Sequence, residues 1–230
     1  MKTIGLIGGT SWVSTLEYYR IINQQINSRL GGLNSAKVLL YSMNQEEHKP
    51  ATDDEGWEKT LAFLTDISKR LVAAGAQCIL LCANTPHMIA DRLQENIPVT
   101  LIHIADATAK EIVKKNLRKV ALLGTKVTME QTFYRDRLAK YGVTAVTPGK
   151  DEREFIDTTI FAELDKAIFK DETRKKYIEI VERLVDEGAE GVIFGCTEIP
   201  LLLKQSDFSI PAFDTTTIHA LAAAEFALAV

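Results

Sequence analysis

The strongest constraint on this chain is a repetition inside it. Gly8-Gly9-Thr10 closes a short apolar run and leads to Tyr18-Tyr19-Arg20, and Leu123-Gly124-Thr125 closes another and leads to Phe133-Tyr134-Arg135. Tyr19 and Tyr134 lie 115 positions apart. Ala74-Gly75-Ala76 precedes Ile79-Leu80-Leu81-Cys82-Ala83-Asn84-Thr85, as Glu187-Gly188-Ala189 precedes Val192-Ile193-Phe194-Gly195-Cys196-Thr197-Glu198. Gly75 and Gly188 lie 113 apart. Two nearly equal offsets in the same order describe a duplicated unit.

Each copy alternates short apolar runs with longer amphipathic stretches. Thr3–Ile7, Lys37–Tyr41, Cys78–Cys82, Val99–Leu101, Lys119–Leu123 and Gly191–Phe194 read as buried strands, with Thr144–Val146 a weaker one. Helical periodicity fills Ser14–Arg29, Trp57–Ala74, Pro86–Glu95, Ala105–Lys115, Met129–Tyr141, Arg153–Phe169, Glu172–Glu187 and Thr216–Ala229. Strands alternating with helices predict βαβ units and parallel sheets covered on both faces. The expected architecture is therefore α/β, with two similar Rossmann-like domains related by pseudo-twofold symmetry. The expected boundaries are 1–103 with 212–230 for the first domain and 104–211 for the second. Ligands of open parallel sheets bind beyond the carboxyl ends of the strands, so two facing copies would line one cleft with matched positions. On this register Thr10 matches Thr125, Ala83 matches Cys196 and Asn84 matches Thr197.

Composition narrows the partners. In 230 residues, 27 Lys and Arg stand against 31 Asp and Glu, a formal charge of −4. That balance gives no general electrostatic reason to expect nucleic acid or an anionic membrane. No apolar run approaches the roughly 20 residues of a bilayer span. Three cysteines, an odd number, argue against a disulfide scaffold and for a reducing cytoplasm. The expected partner is a small molecule.

Several residues could carry chemistry. Cys196 ends a strand just before Thr197-Glu198-Ile199-Pro200, which reads as a helix start. The positive end of a helix lowers a thiol pKa and favours the thiolate. A thiolate can act as base or nucleophile, although cysteine is also a common buried packing residue. Gly8-Gly9-Thr10-Ser11 suits either a carboxylate held by backbone N–H groups or simply a tight turn. It lacks the dinucleotide G-x-G-x-x-G spacing, and no Walker lysine follows. Cys78 reads as core, and alternation along a strand turns Cys82 away from the face of Ala83. His87 could orient the Asn84-Thr85 loop or merely pack. His87, His103 and His219 have no ligand spacing with cysteines or carboxylates, so no metal site is expected.

In combination these segments resemble the aspartate/glutamate racemase family of cofactor-independent amino-acid racemases, closest to its broad-specificity or L-Asp/Glu-type branch. The likeness rests on Gly8-Gly9-Thr10-Ser11 with Ser14-Thr15 and Tyr18-Tyr19, on Asn84-Thr85-Pro86-His87, on Leu123-Gly124-Thr125 through Thr128-Met129-Glu130, and on Gly195-Cys196-Thr197-Glu198. It implies a homodimer, an active site between two domains, no pyridoxal phosphate and no metal. It further implies that one residue removes the α-proton of a small amino acid and a second returns a proton to the other face. Cys196 matches the second acid/base. Thr10, Thr52, Asn84, Thr85, Thr197 and Glu198 match substrate-binding positions. The first acid/base position is Ala83, which carries no proton, and the repeat reaches Ala83 independently from Cys196. A lysine that the family uses is also missing near Phe155. Weak or altered racemisation is one expectation. A lyase like the arylmalonate decarboxylases, which need a single thiol, and an impaired carboxylate-binding homologue are the alternatives.

Overall fold

The structure, a computed structural model, describes residues 1–47 and 53–229. Thr52 lies outside the described residues. The chain divides into two units, Met1–His103 with His219–Val230, and Ile104–Ile218.

The first unit is a four-stranded parallel sheet in the order β2-β1-β3-β4, built from β1 (Thr3–Gly8), β2 (Lys37–Ser42), β3 (Cys78–Leu81) and β4 (Thr100–Leu101). Alternation sorts its side chains. Ile4, Leu6, Cys78, Leu80 and Cys82 share one core with Tyr18, Ile22 and Ile26 of α1 (Trp12–Leu30) and with Ala220, Ala223, Ala224 and Ala227 of α10 (Thr215–Leu228). Cys82 therefore belongs to that core, as its place after Leu80 implies. Ser11 caps α1, accepting the Ser14 N–H at 3.4 Å. Helix α2 (Asp54–Ala73) begins where Asp53 accepts the Gly56 N–H at 2.8 Å, and it lies against β1 and β2.

The second unit repeats the order as β6-β5-β7-β8, with β5 (Lys119–Gly124), β6 (Thr144–Val146), β7 (Val192–Gly195) and β8 (Ala212–Asp214). Ala121, Leu123, Val192 and Phe194 face α7 (Lys150–Ala162) and α8 (Asp171–Asp186). Val120, Leu122, Ile193 and Phe213 face α4 (Ile104–Lys114) and α6 (Phe133–Ala139). This two-faced burial is why the strands read as continuous apolar runs.

Several local features differ from the sequence expectation, among them the helix expected over Arg153–Phe169, which ends at Ala162 and is followed by a 3-10 turn over Leu164–Lys166. β8 is absent from that expectation: only three residues pair with β7, Phe213 alone is buried, and Pro211 reads as a strand breaker. Because β8 hydrogen-bonds to β7, residues 212–218 lie in the second unit, seven residues past the expected 211/212 boundary. The helix expected over Met129–Tyr141 is two, α5 (Lys126–Glu130) and α6, because Gln131 is extended between them. Pro86–Glu95 is a 3-10 turn over Thr85–Ile89 followed by α3 (Ala90–Glu95). Among the described residues, no helix is long and apolar enough to cross a membrane.

Candidate functional site

The repeat is visible at the strand ends. β1 and β5 both run into a capped helix. Thr15 Oγ1 accepts the Gly9 N–H at 2.9 Å and donates to Ser11 O at 2.8 Å. In the second unit Thr128 donates its N–H to the cap Thr125 Oγ1 at 3.4 Å, as Ser14 does to Ser11 in the first. A Cβ on Gly8 would fall 2.4 Å from Thr15 Cγ2, and one on Gly124 would meet Thr128 Cβ at 3.1 Å. Gly9 has φ +90, and a Cβ there would sit 2.1 Å from Met43 O, so the turn itself requires glycine. The Gly9 N–H is already used by Thr15, which removes one donor from the carboxylate cradle that the glycines suggested. Thr10 is half-buried, its hydroxyl 4.0 Å from Met43 Sδ.

At the next pair of ends, Ile7 aligns with Leu81 and Gly124 with Gly195. One residue on, Cys82 stands in register with Gly195, so Ala83 matches Cys196 and Asn84 matches Thr197. Both ends then turn into a one-turn helix with an early proline, Thr85–Ile89 and α9 (Ile199–Leu202). In the first unit Ala83 and Asn84 are buried and Thr85 is half-buried. His87 Nδ1 bonds Ala83 O at 2.9 Å, which fixes Nδ1 as the protonated nitrogen. Its Nε2 is buried with no hydrogen-bond partner among the described residues. The His87 ring lies 4.7 Å from His103 and 5.5 Å from His219. His219 Nε2 donates to Ile102 O at 2.6 Å, and its Nδ1 accepts from Tyr18 OH at 2.8 Å. Burial, reinforced by His219, pushes His87 down to about 3, and burial pushes His219 down to about 4. Both rings are neutral, and His87 anchors the loop that follows β3.

In the second unit Cys196, Thr197 and Glu198 are all buried. The Cys196 thiol donates to Glu198 Oε2 at 3.0 Å, and Thr197 Oγ1 donates to the same oxygen at 2.8 Å. Glu198 Oε1 is buried without a hydrogen-bond partner among the described residues. The expectation of a thiol acidified by a helix end is overturned. Burial first, then the Glu198 carboxylate, pushes the Cys196 thiol well above its ordinary value. The four residues of α9 offer too little dipole against those two effects. Cys196 therefore rests as a thiol whose proton points at a carboxylate.

Sequence reasoning missed Asp165. It sits in a single 3-10 turn after α7, where burial and the nearby Glu198 charge push its carboxyl up to about 7. No spacing rule marks it, because the approach of its 3-10 turn to α9 is a tertiary contact. Phe155 is half-buried against the core, its ring edge-on to Tyr177. Among the described residues, no group of His, Cys, Asp and Glu could hold a metal ion.

Fold and site together define a duplicated parallel α/β protein with a thiol–carboxylate pair at one strand end and alanine at the matched position. The chain belongs to the Asp/Glu/Hydantoin racemase family, which matches residues 7–223. Family membership makes it an isomerase, of the racemase class. It is similar to the broad specificity amino-acid racemase RacX of Bacillus subtilis, 23% identical over 93% of this chain and 92% of that one. A solved structure of an Asp/Glu racemase candidate from Yersinia pestis is 45% identical over the whole of both chains, with a TM-score of 0.93. That of an aspartate racemase homologue from Pyrococcus horikoshii is 39% identical over 99% of both, with a TM-score of 0.87.

Proposed function

We propose that the protein is a cofactor-independent amino-acid racemase of the aspartate/glutamate type in which Cys196 is the one thiol acid/base. The observation that carries this reading is the Cys196 Sγ–Glu198 Oε2 contact of 3.0 Å at the end of β7. Glu198 accepts the thiol proton, and the thiolate then takes the α-proton of the substrate. The resulting carbanion is reprotonated by the same thiol, with retention, or on its other face, with inversion. Asn84, Thr85 and Thr197 are the proposed carboxylate ligands, joined by Thr10 and Thr52. Ala83 supplies no proton, so inversion depends on a water, held near Thr85, as the second donor. A general acid–base group typically contributes about 10²–10⁴-fold, so exchange outruns inversion by a factor of that order. Neither pyridoxal phosphate nor a metal takes part in this reading.

Three free buried cysteines fit a cytoplasmic setting. The exposed side chains Trp12, Leu16 and Tyr19 recur along one stripe of α1 and fit the proposed homodimer. The test is loss of the α-proton from L- and D-aspartate and glutamate in deuterated water, followed by proton NMR. Exchange that disappears in Cys196→Ser supports the assignment, whereas exchange that survives the substitution removes Cys196 from the chemistry.

Ala83 favours one second reading, a single-thiol lyase in which Cys196 protonates the carbanion left by decarboxylation. Carbon dioxide released from an arylmalonate, without α-proton exchange in any amino acid, would select it.

A further inference from the structure

The second unit holds a cavity of about 440 Å³ that takes no part in the chemistry above. It is walled by Lys126 and Met129 of α5, Arg135 of α6, Thr147 after β6, and Lys150 and Arg153 of α7, with Glu130 the one carboxylate among its described lining residues. Four cationic side chains from three helices thus converge on one hollow in a chain whose formal charge is −4. The arginines are held in place from within the protein. Arg153 donates to Pro148 O at 2.7 Å and to Glu130 Oε1 at 3.1 Å, and Arg135 donates to Glu130 O at 2.9 Å. Lys126 and Lys150 are exposed and form no ion pair among the described residues. The Lys126 N–H is bound by Asp157 at 2.6 Å, which fixes the start of α5 against α7.

We propose that this cavity binds a small organic di- or triphosphate. Ordinary ligand pockets of about 300–1,000 Å³ are lined mainly by apolar side chains with a few polar ones. Here the balance is reversed, and after Glu130 is set against Arg153 three cationic side chains remain that form no ion pair among the described residues. A free acidic amino acid, the proposed substrate class, sets two carboxylates against its own ammonium and so answers only one of them on net charge. A chain of phosphoryl groups answers all three, with the planar guanidinium forks gripping oxygens in pairs and the lysines supplying mobile point charges. The cavity lies beyond the carboxyl ends of β5 and β6, the edge at which open parallel sheets bind ligands. The inference does not depend on the racemase reading, since no residue proposed for catalysis lines the cavity.

The test is isothermal titration of the full chain with tripolyphosphate, pyrophosphate and orthophosphate at low ionic strength. Saturable one-to-one binding is expected, with tripolyphosphate at least about tenfold tighter than orthophosphate, because each added charge meets another cation. Lys126→Glu and Lys150→Glu are exposed changes that leave the core intact, and each should weaken binding about tenfold or more. Glu130→Gln should tighten it. Lys175→Glu makes the same charge change elsewhere in the unit and should do little. The proposal is overturned by non-saturable binding, by equal affinity for the three probes, or by a loss in Lys175→Glu as large as in the cavity variants.

Discussion

Replacing His87 by Asn isolates a cost built into the loop after β3. In the folded chain the His87 ring is buried, donates to Ala83 O at 2.9 Å, and has its pKa pushed down to about 3. In the unfolded chain it titrates near its ordinary value of about 6.5. A folded-state pKa below the unfolded one leaves stability intact above about pH 6.5 and drains it as pH falls toward the folded value. Each pH unit below 6.5 costs about 1.4 kcal/mol, or about 2 kcal/mol at pH 5. Asparagine does not titrate, and its amide can take the place of the Nδ1–H donor. The packing lost with the ring is independent of pH and cancels between conditions. Asp165 titrates in the other unit with the opposite sign, and it cancels because both proteins carry it. Both tryptophans, Trp12 and Trp57, belong to the first unit, so their fluorescence follows the unit that contains His87. Urea unfolding should show the wild-type advantage over His87→Asn shrinking by about 2 kcal/mol between about pH 7.5 and pH 5. An advantage that stays constant would refute the buried neutral histidine.

Gly9→Ala forces a Cβ within 2.1 Å of Met43 O at φ +90. It should cost about 3 kcal/mol or more and lower the melting temperature by roughly 6–12 °C; an unchanged midpoint in a thermal scan would contradict the turn geometry. Glu198→Gln removes a charge that raises the Cys196 thiol, so the midpoint of iodoacetamide alkylation against pH should move down while burial keeps it above the ordinary value. A midpoint that stays put would deny the coupling. Asp165→Asn relieves a carboxyl whose folded pKa is raised from 3.8 to about 7. Its ionisation costs stability increasingly as pH rises from the unfolded value, so the variant should gain more at about pH 8 than at pH 5 in urea titrations. An equal gain at both would refute the shift.

What the sequence discloses and what it withholds have physical causes. Strands buried on both faces, such as Val120–Leu123 and Val192–Phe194, leave unbroken apolar runs, so β1, β3, β5 and β7 are legible with nearly correct ends. The duplicated strand ends are legible too, because the same turn needs the same residues twice, and this alone pairs Ala83 with Cys196. β8 is not legible, since an edge strand that buries only Phe213 leaves no run to read. Asp165 reaches Glu198 by tertiary approach, for which no local pattern exists, whereas Glu198 is two residues from Cys196 and only the turn that aims its carboxylate at the thiol is hidden. The thiolate expectation failed because a helix end is visible in sequence, whereas burial, the largest of the effects that raise the thiol, is not.

The ratio of inversion to exchange tests the central claim most directly. Wild type and Ala83→Cys would be incubated with each enantiomer of aspartate and glutamate in deuterated water, with α-proton loss followed by NMR and the opposite enantiomer by chiral chromatography. The account predicts exchange well ahead of inversion in the wild type, and a rise in inversion of about 10²-fold or more when a second thiol occupies position 83. Wild-type inversion that keeps pace with exchange, unchanged by Ala83→Cys, would contradict it.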